Sequence, residues 1–310
     1  MNNPHDTFFK ETMTRRENAV SFFREYLPES VAAITDWRTL RIVKETYVTP
    51  ELKERFSDIV YDIRIRGTKT FICFLFEHQS SPDGLMPLRF YHYMGGVWEL
   101  HLKQHPGESR LPGIIPVLFY HGKEKWNIST RFQDMVAGSE LIPEYVPKFE
   151  YILRDMSVFS DADIRGNIMI RLFLSVMRRI FHPDFGKYFD RMLPLFAELS
   201  YKETGMEYLE TVLRYIYEVR DDMDPVKTEK KLIQVIDEDR KEHIMTVAER
   251  LRKEGEIRGE MRGEIRGRIE AYKELATGGL LSKDIADQKI AELEQKLKEM
   301  TGQSRSDTEH

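Results

Sequence analysis

Two acids and an amide define the chemistry this chain could carry: Asp58 in SDIVYDI, then Glu77 and Gln79 in EHQS, with nineteen residues from the first acid to the second. Asp58 opens the alternating segment DIVYDIRIR, 58–66. Side chains alternate across a strand, so Asp58, Val60 and Asp62 share one face while Ile59, Tyr61, Ile63 and Ile65 share the other. Residues 71–78, FICFLFEH, are nearly all apolar, as a central strand covered on both faces would be. Glu77 and Gln79 fall on one face with Cys73 and Leu75, and His78 falls on the other with Phe74 and Phe76. The link Gly67-Thr68-Lys69 suits a hairpin, which would bring Asp58 beside Glu77 and Gln79 at one sheet rim. Such a cluster offers hard oxygen donors to a cation. Mg²⁺ takes one or two carboxylates together with waters and phosphate oxygens. The ion lowers the pKa of a bound water and offsets charge building on a phosphoryl group during in-line attack. The plainer alternative is a turn-side acid and an acid that merely ends a buried strand.

The elements around these residues follow from punctuation and periodicity. A helix is expected over 7–27, capped by Asp6 and stopped by Pro28. Residues 40–48 are β-branched and alternating, which predicts a strand. Ser81-Pro82-Asp83-Gly84 is a turn, with Pro and Gly in the positions that turns favour. A helix over about 87–103 follows and puts Arg89 and Tyr93, four apart, on one face. Residues 113–120, GIIPVLFY, read as a strand, and Pro116 favours an edge position because it cannot donate to a ladder. The strand ends in Tyr120-His121-Gly122, at a place where α/β sites collect ligands; His121 is either a substrate contact or a turn histidine. Trp126 is expected in the core. From about 161 to 240 the pattern is helical, with a break at 221–225; Arg171, Arg178 and Arg179 there form a basic or simply solvated face. The order is α-β-β-β-α-β followed by an all-α extension.

Composition narrows the class. A chain of 310 residues is about two domains long, and 41% hydrophobic residues suffice for a sizeable core. Lys and Arg number 47 against 52 Asp and Glu, a net charge of −5, which excludes a protein coated in basic charge. It leaves room for a local basic channel. The single cysteine, Cys73, permits no intramolecular disulfide and no cysteine-cluster metal site, so a reducing compartment is expected. The start MNNPHDTFFK lacks a signal-peptide pattern, and no apolar run approaches the ~20 residues of a membrane helix. A soluble intracellular protein without membrane contact is the expectation.

Asp58 in SDIVYDI, the step to Glu77-His78-Gln79-Ser80 and the element order resemble the PD-(D/E)XK nuclease core. A wider set is more specific: Pro4-His5-Asp6 with Phe9-Lys10, Tyr26-Leu27-Pro28, Leu88-Arg89-x-Tyr91, and Pro116 through Tyr120-His121-Gly122 with Trp126. Together these resemble the recombination-promoting nuclease (Rpn, YhgA-like transposase) family from residue 4 to about residue 240. The resemblance implies an α/β fold: a PD-(D/E)XK-like mixed-sheet core over 1–160, a helical extension over 161–250, and a Gly-repeat helical tail over 251–310 with a disordered end. It implies a DNA endonuclease dependent on Mg²⁺, or on Mn²⁺ or Ca²⁺, leaving 5′-phosphate and 3′-hydroxyl ends. The setting would be recombination, mobile elements or defence at the nucleoid in a bacterial cytoplasm. Asp58 and Glu77 would be the metal ligands. Gln79 stands where the superfamily pattern has Lys; it can orient the attacking water but cannot supply positive charge. Arg89 would hold a phosphate with Tyr93 packed nearby, His121 would contact substrate, and Asp6 and Lys10 would be accessory. Glu11 and Glu17 both remain open as the acid that first helices of this superfamily supply. The rival reading is a non-catalytic nucleic-acid-binding or oligomerising protein on the same fold; a third is an RNase with the same metal site.

The tail carries its own pattern, Gly-Glu-Ile/Met-Arg from Gly255, Gly259 and Gly263, then Gly267-Arg-Ile-Glu. Four residues turn a helix by about 400°, so each residue type forms a slowly drifting stripe. Each Gly costs a lone helix up to ~1 kcal/mol relative to Ala. The expectation is a homo-oligomer formed through residues 250–300, with a flexible spacer as the plainer alternative. The final GQSRSDTEH is too polar to order itself.

Overall fold

The computed structural model describes residues 3–43, 57–77 and 82–301. They fall into two compact units: Phe9–Phe181, and the described residues on either side of it, up to Phe8 and from His182 onward.

The first unit is built on a five-stranded mixed sheet in the order β1-β2-β3-β4-β5. Its strands are β1 (Thr35–Ile42), β2 (Ser57–Ile65), β3 (Thr68–Glu77), β4 (Gly113–Tyr120) and β5 (Ile152–Asp155). β1, β2 and β3 are antiparallel neighbours; β4 runs parallel to β3, and β5 parallel to β4. The β2–β3 hairpin closes through Arg66 and Gly67, both at positive φ (47° and 80°), the geometry that matches the twist of a two-residue hairpin. β1 begins five residues before the expected strand, whose residues 44–48 lie outside the described residues.

Three expectations are corrected. The helix expected over 7–27 is two helices, α1 (Pro4–Met13) and α2 (Arg16–Tyr26). The carbonyls of Thr12 and Met13, which a continuous helix would bond to backbone N–H groups, accept instead from the Asn18 amide (3.0 Å) and the Tyr61 hydroxyl (2.8 Å). Asp6 is not the cap. Asn3 Oδ1 accepts the His5 N–H at 3.0 Å and Pro4 opens the helix, leaving Asp6 within its first turn. Finally, Pro116 does not make β4 an edge strand, because β5 flanks it. The β5 pairing covers only Val117 to Tyr120, so at Pro116 one side of the strand is still open.

The sheet buries both faces. On one, Ile59, Tyr61, Phe74 and Phe119 meet α1, α2 and the later helix α5 (Ile168–Arg179), after a four-residue helix α3 (Glu29–Ala32) has led into β1. Phe74 is the hub, with the rings of Phe9, Phe22 and Phe23 centred 5.1–5.2 Å away. Each such buried ring contributes roughly 1.5–3 kcal/mol. On the other face, α4 (Met86–Gln104) packs Met86, Phe90, Tyr93 and Val97 over Val60, Phe71, Cys73 and Leu118.

The second unit is helical: α6 (Phe185–Ser200), α7 (Gly205–Val219), α8 (Pro225–Val235), α9 (Glu238–Thr277) and α10 (Lys283–Thr301). The break expected at 221–225 separates α7 from α8, where Asp224 caps α8 by accepting the Val226 N–H at 2.9 Å. His5 joins this unit through a 2.7 Å bond from its Nδ1 to the Tyr215 hydroxyl, and Phe8 stacks on the same tyrosine at 4.3 Å. The glycine repeat lies inside α9, a 40-residue helix. Among the described residues no helix is long and apolar enough to cross a membrane.

Candidate active site

The hairpin register decides where the two acids stand. Asp58 pairs with Leu75 and Ser57 with Phe76, so Glu77 lies one step past the last paired residue of β2. Residues directly opposite in an antiparallel pair share a face, and so do residues two apart in one strand. Positions 58 and 77 therefore belong to one face and one rim. It is the face of Val60 and Cys73, which α4 covers. The rim continues across the sheet, Glu77 pairing with Tyr120 and Tyr120 with Asp155. Gln79 lies outside the described residues. Among the described residues, no group of three or more His, Cys, Asp or Glu side chains is placed to hold a metal.

α4 runs back along the sheet. Near its end His101 meets Phe71, at the start of β3, with ring centroids 5.9 Å apart. Its first turn accordingly lies toward the rim where β3 ends. Arg89 is in that first stretch and donates from Nη1 to Asp83 Oδ2 at 2.6 Å, with the two side chains only 17% and 23% exposed. Asp83 is itself fixed, because its Oδ1 accepts the Leu85 N–H at 2.8 Å. The pair is a charge-assisted bond in a half-dry position, where such bonds are strongest. Tyr93, one turn beyond Arg89, is buried in the α4 core. Beside them Phe90 stacks on Tyr151 at 5.0 Å, and burial pushes the Tyr151 hydroxyl well above the ordinary tyrosine range. Tyr120 meets Trp126 edge-on at 4.8 Å, and Trp126, expected in the core, is there.

The remaining expected residues are dispersed. His121 is buried; its Nε2 bonds the Met177 carbonyl at 2.7 Å and its ring stacks on Phe181 at 4.9 Å, on the side of the sheet away from α4. Lys10, Glu11 and Glu17 are exposed on α1 and α2, and those helices cover the opposite face from α4. Asp6 groups with the helical unit. Arg178 donates to the Phe159 carbonyl and to Asp161, and Arg179 lies 3.7 Å from Asp161, so these two arginines, expected on a basic or simply solvated face, are largely covered and share an acid.

Two acids at the rim are not evident from the sequence. Asp83 looks like a turn residue, and only its six-residue distance from Arg89 across a helix start hints at a pair. Asp155 ends β5, a strand too short to show any alternation. Its Oδ2 accepts the Trp126 N–H and its Oδ1 the Ser157 N–H, both at 2.9 Å.

Residues 3–207 match the family described as "Putative transposase, YhgA-like". The chain is 28% identical over 260 residues to the inactive recombination-promoting nuclease-like protein RpnE of Escherichia coli (strain K12), covering 81% of this chain and 82% of that protein. It is 28% identical over 257 residues to the recombination-promoting nuclease RpnA of the same organism (82% and 85%), and 26% identical over 196 residues to RpnC (63% and 64%). No solved structure matches. The matched span takes in the whole sheet, the rim acids and the first helices beyond them, and the chain belongs to the YhgA-like transposase family.

Proposed function

We propose that this protein is a metal-dependent DNA endonuclease whose site is the rim carrying Asp58 and Glu77. The observation that carries the reading is the β2–β3 register, which puts those two positions on one face at one rim, under the helix that bears Arg89. Relatives named recombination-promoting nuclease support the reaction class. Two carboxylates on one rim fit the donor set of Mg²⁺, which favours one or two carboxylates and leaves its remaining positions to water and phosphate. When bound, the ion supplies a water of lowered pKa and positive charge against the phosphodiester. Asp58 and Glu77 would hold it. Gln79 would orient the water by hydrogen bonding. Arg89, kept in place by Asp83, would hold a phosphate oxygen, and the packed rings of Tyr93, Tyr120 and Trp126 would keep the floor of the site rigid. His121 would support the end of β4 from the far face. A calorimetric Mg²⁺ titration tests the metal: one site in the wild type, lost in both Asp58→Asn and Glu77→Gln. Equal binding in all three would remove the carboxylate pair from the account.

A second reading has a specific observation behind it, since RpnE, as similar to this chain as RpnA, is named inactive. On that reading the same rim binds nucleic acid without cutting it.

The tail bears on assembly. Ile257 and Met261 are exposed on α9, and a Cβ added at Gly255, Gly259, Gly263 or Gly267 would meet nothing within 4 Å. The glycine stripe is thus not used for packing against the described residues of its own chain, whereas Ile269 of the repeat is buried and Arg262 pairs with Asp221. We assign the glycine stripe to contact with a second copy, in keeping with the stripes of the sequence.

A further inference from the structure

Between β4 and Trp126 the chain crosses the end of the sheet. His121 is anchored on one side, against Met177 and Phe181 of the α5 region. Five residues later Trp126 is anchored on the other, against Tyr120 and Tyr151 under α4. Its backbone N–H is held by buried Asp155 and its indole N–H by the Ile128 carbonyl at 2.9 Å. The crossing starts immediately after Tyr120, the register partner of Glu77. Everything between the anchors is Gly122 and three exposed charged residues, Lys123, Glu124 and Lys125.

We infer that this bridge is a contact for the DNA backbone, with Lys123 and Lys125 on phosphates flanking the one at the rim. The inference rests on the proposed DNA chemistry and adds the surface that receives the strand. Three features carry it. The bridge lies at the rim and not elsewhere on the surface. Both its ends are fixed by buried side chains, so the lysines are presented from a rigid base. Lysine also suits such a contact, because a flexible point charge holds a phosphate without selecting a base, and two such contacts add sequence-independent affinity. Glu124, between them, opposes binding and sets the bridge at one net positive charge. Asp155 acts here as a positioning residue for the bridge.

The test is the salt dependence of binding to a labelled duplex in EDTA, starting from about 20 mM salt where such contacts are strongest. Lys123→Ala/Lys125→Ala should lower the slope of log affinity against log salt by about two and weaken binding at least ~tenfold at 0.1 M salt. Glu124→Gln should tighten it. Lys187→Ala/Lys227→Ala, on exposed helix turns of the other unit, should leave the slope unchanged. A wild type that binds or cuts DNA, with the bridge double variant showing an unchanged slope, overturns this inference alone. A wild type that neither binds nor cuts DNA overturns the proposed function and this inference together.

Discussion

At the scale of single residues, the Asp83–Arg89 pair is the most informative finding. In the proposed role Arg89 faces two demands, since a guanidinium that is to hold a phosphate must also be held itself. Arg89→Ala should lower DNA nicking on the order of tenfold and also lower Tm, because Asp83 loses its partner in a half-buried position at a cost of roughly 1–3 kcal/mol. Arg89→Lys should recover much of the stability and less of the activity, since Lys lacks the planar fork. Unchanged nicking in Arg89→Ala would take the phosphate role away. A second prediction concerns pH. The hydrogen bond from His101, 2.7 Å from Glu108, holds that carboxyl below the ordinary glutamate value of 4.5. The stability this contributes is present above that value and is lost as pH falls through the depressed one. Thermal unfolding followed from pH 7 to pH 3 should therefore fall less steeply at the acid end in Glu108→Gln than in the wild type. Parallel curves would contradict the assignment. The face shared by Asp58 and Glu77 was readable in advance because alternation is a local property of a strand. Asp83 and Asp155 were not readable, because their partners are fixed by helix placement and by a strand that alternation cannot reveal.

At the scale of elements, the hairpin and α4 were legible, and the breaks were not. The alternation of 58–66 and the apolar run of 71–76 determine β2 and β3 almost unaided, and Gly67 marks their turn. The division of α1 from α2 depends on side chains from Asn18 and Tyr61 taking two helix carbonyls, and nothing in the helix's own periodicity announces that. Glycines give the sharpest element-scale test, because two kinds coexist. Gly166 precedes α5 at φ +106°, and an added Cβ would stand 2.9 Å from Ser21 Oγ. Gly166→Ala should destabilise by about 1–3 kcal/mol through backbone strain and crowding. Gly259 and Gly263 are helical and open, so Ala there should stabilise α9 by up to ~1 kcal/mol each. If the repeat packs on a second copy, the same two changes should lower the sedimentation mass even as helicity rises. An unchanged mass, with a 250–310 deletion also leaving it unchanged, would remove the repeat from any interface.

At the scale of the whole molecule, the net charge of −5 takes on a different meaning. A DNA enzyme need not be basic overall if its charge is arranged locally. In the proposed site Asp58, Glu77, Asp83 and Asp155 stand at the rim, a guanidinium is clamped among them by Asp83, and a lysine-bearing bridge crosses the sheet's end. Much of the remaining charge of both signs lies along α9 and α10. Strong salt dependence of binding is the expected consequence. Family membership does not choose between a cutting and a non-cutting protein, since relatives of equal similarity carry both names. Plasmid cleavage does. Supercoiled DNA incubated with the wild type should be nicked in Mg²⁺ and left intact in EDTA, with the activity abolished in Asp58→Ala and in Glu77→Ala. Cleavage that persists equally in both variants, or DNA binding by the wild type with no nicking in any divalent metal, would contradict the account.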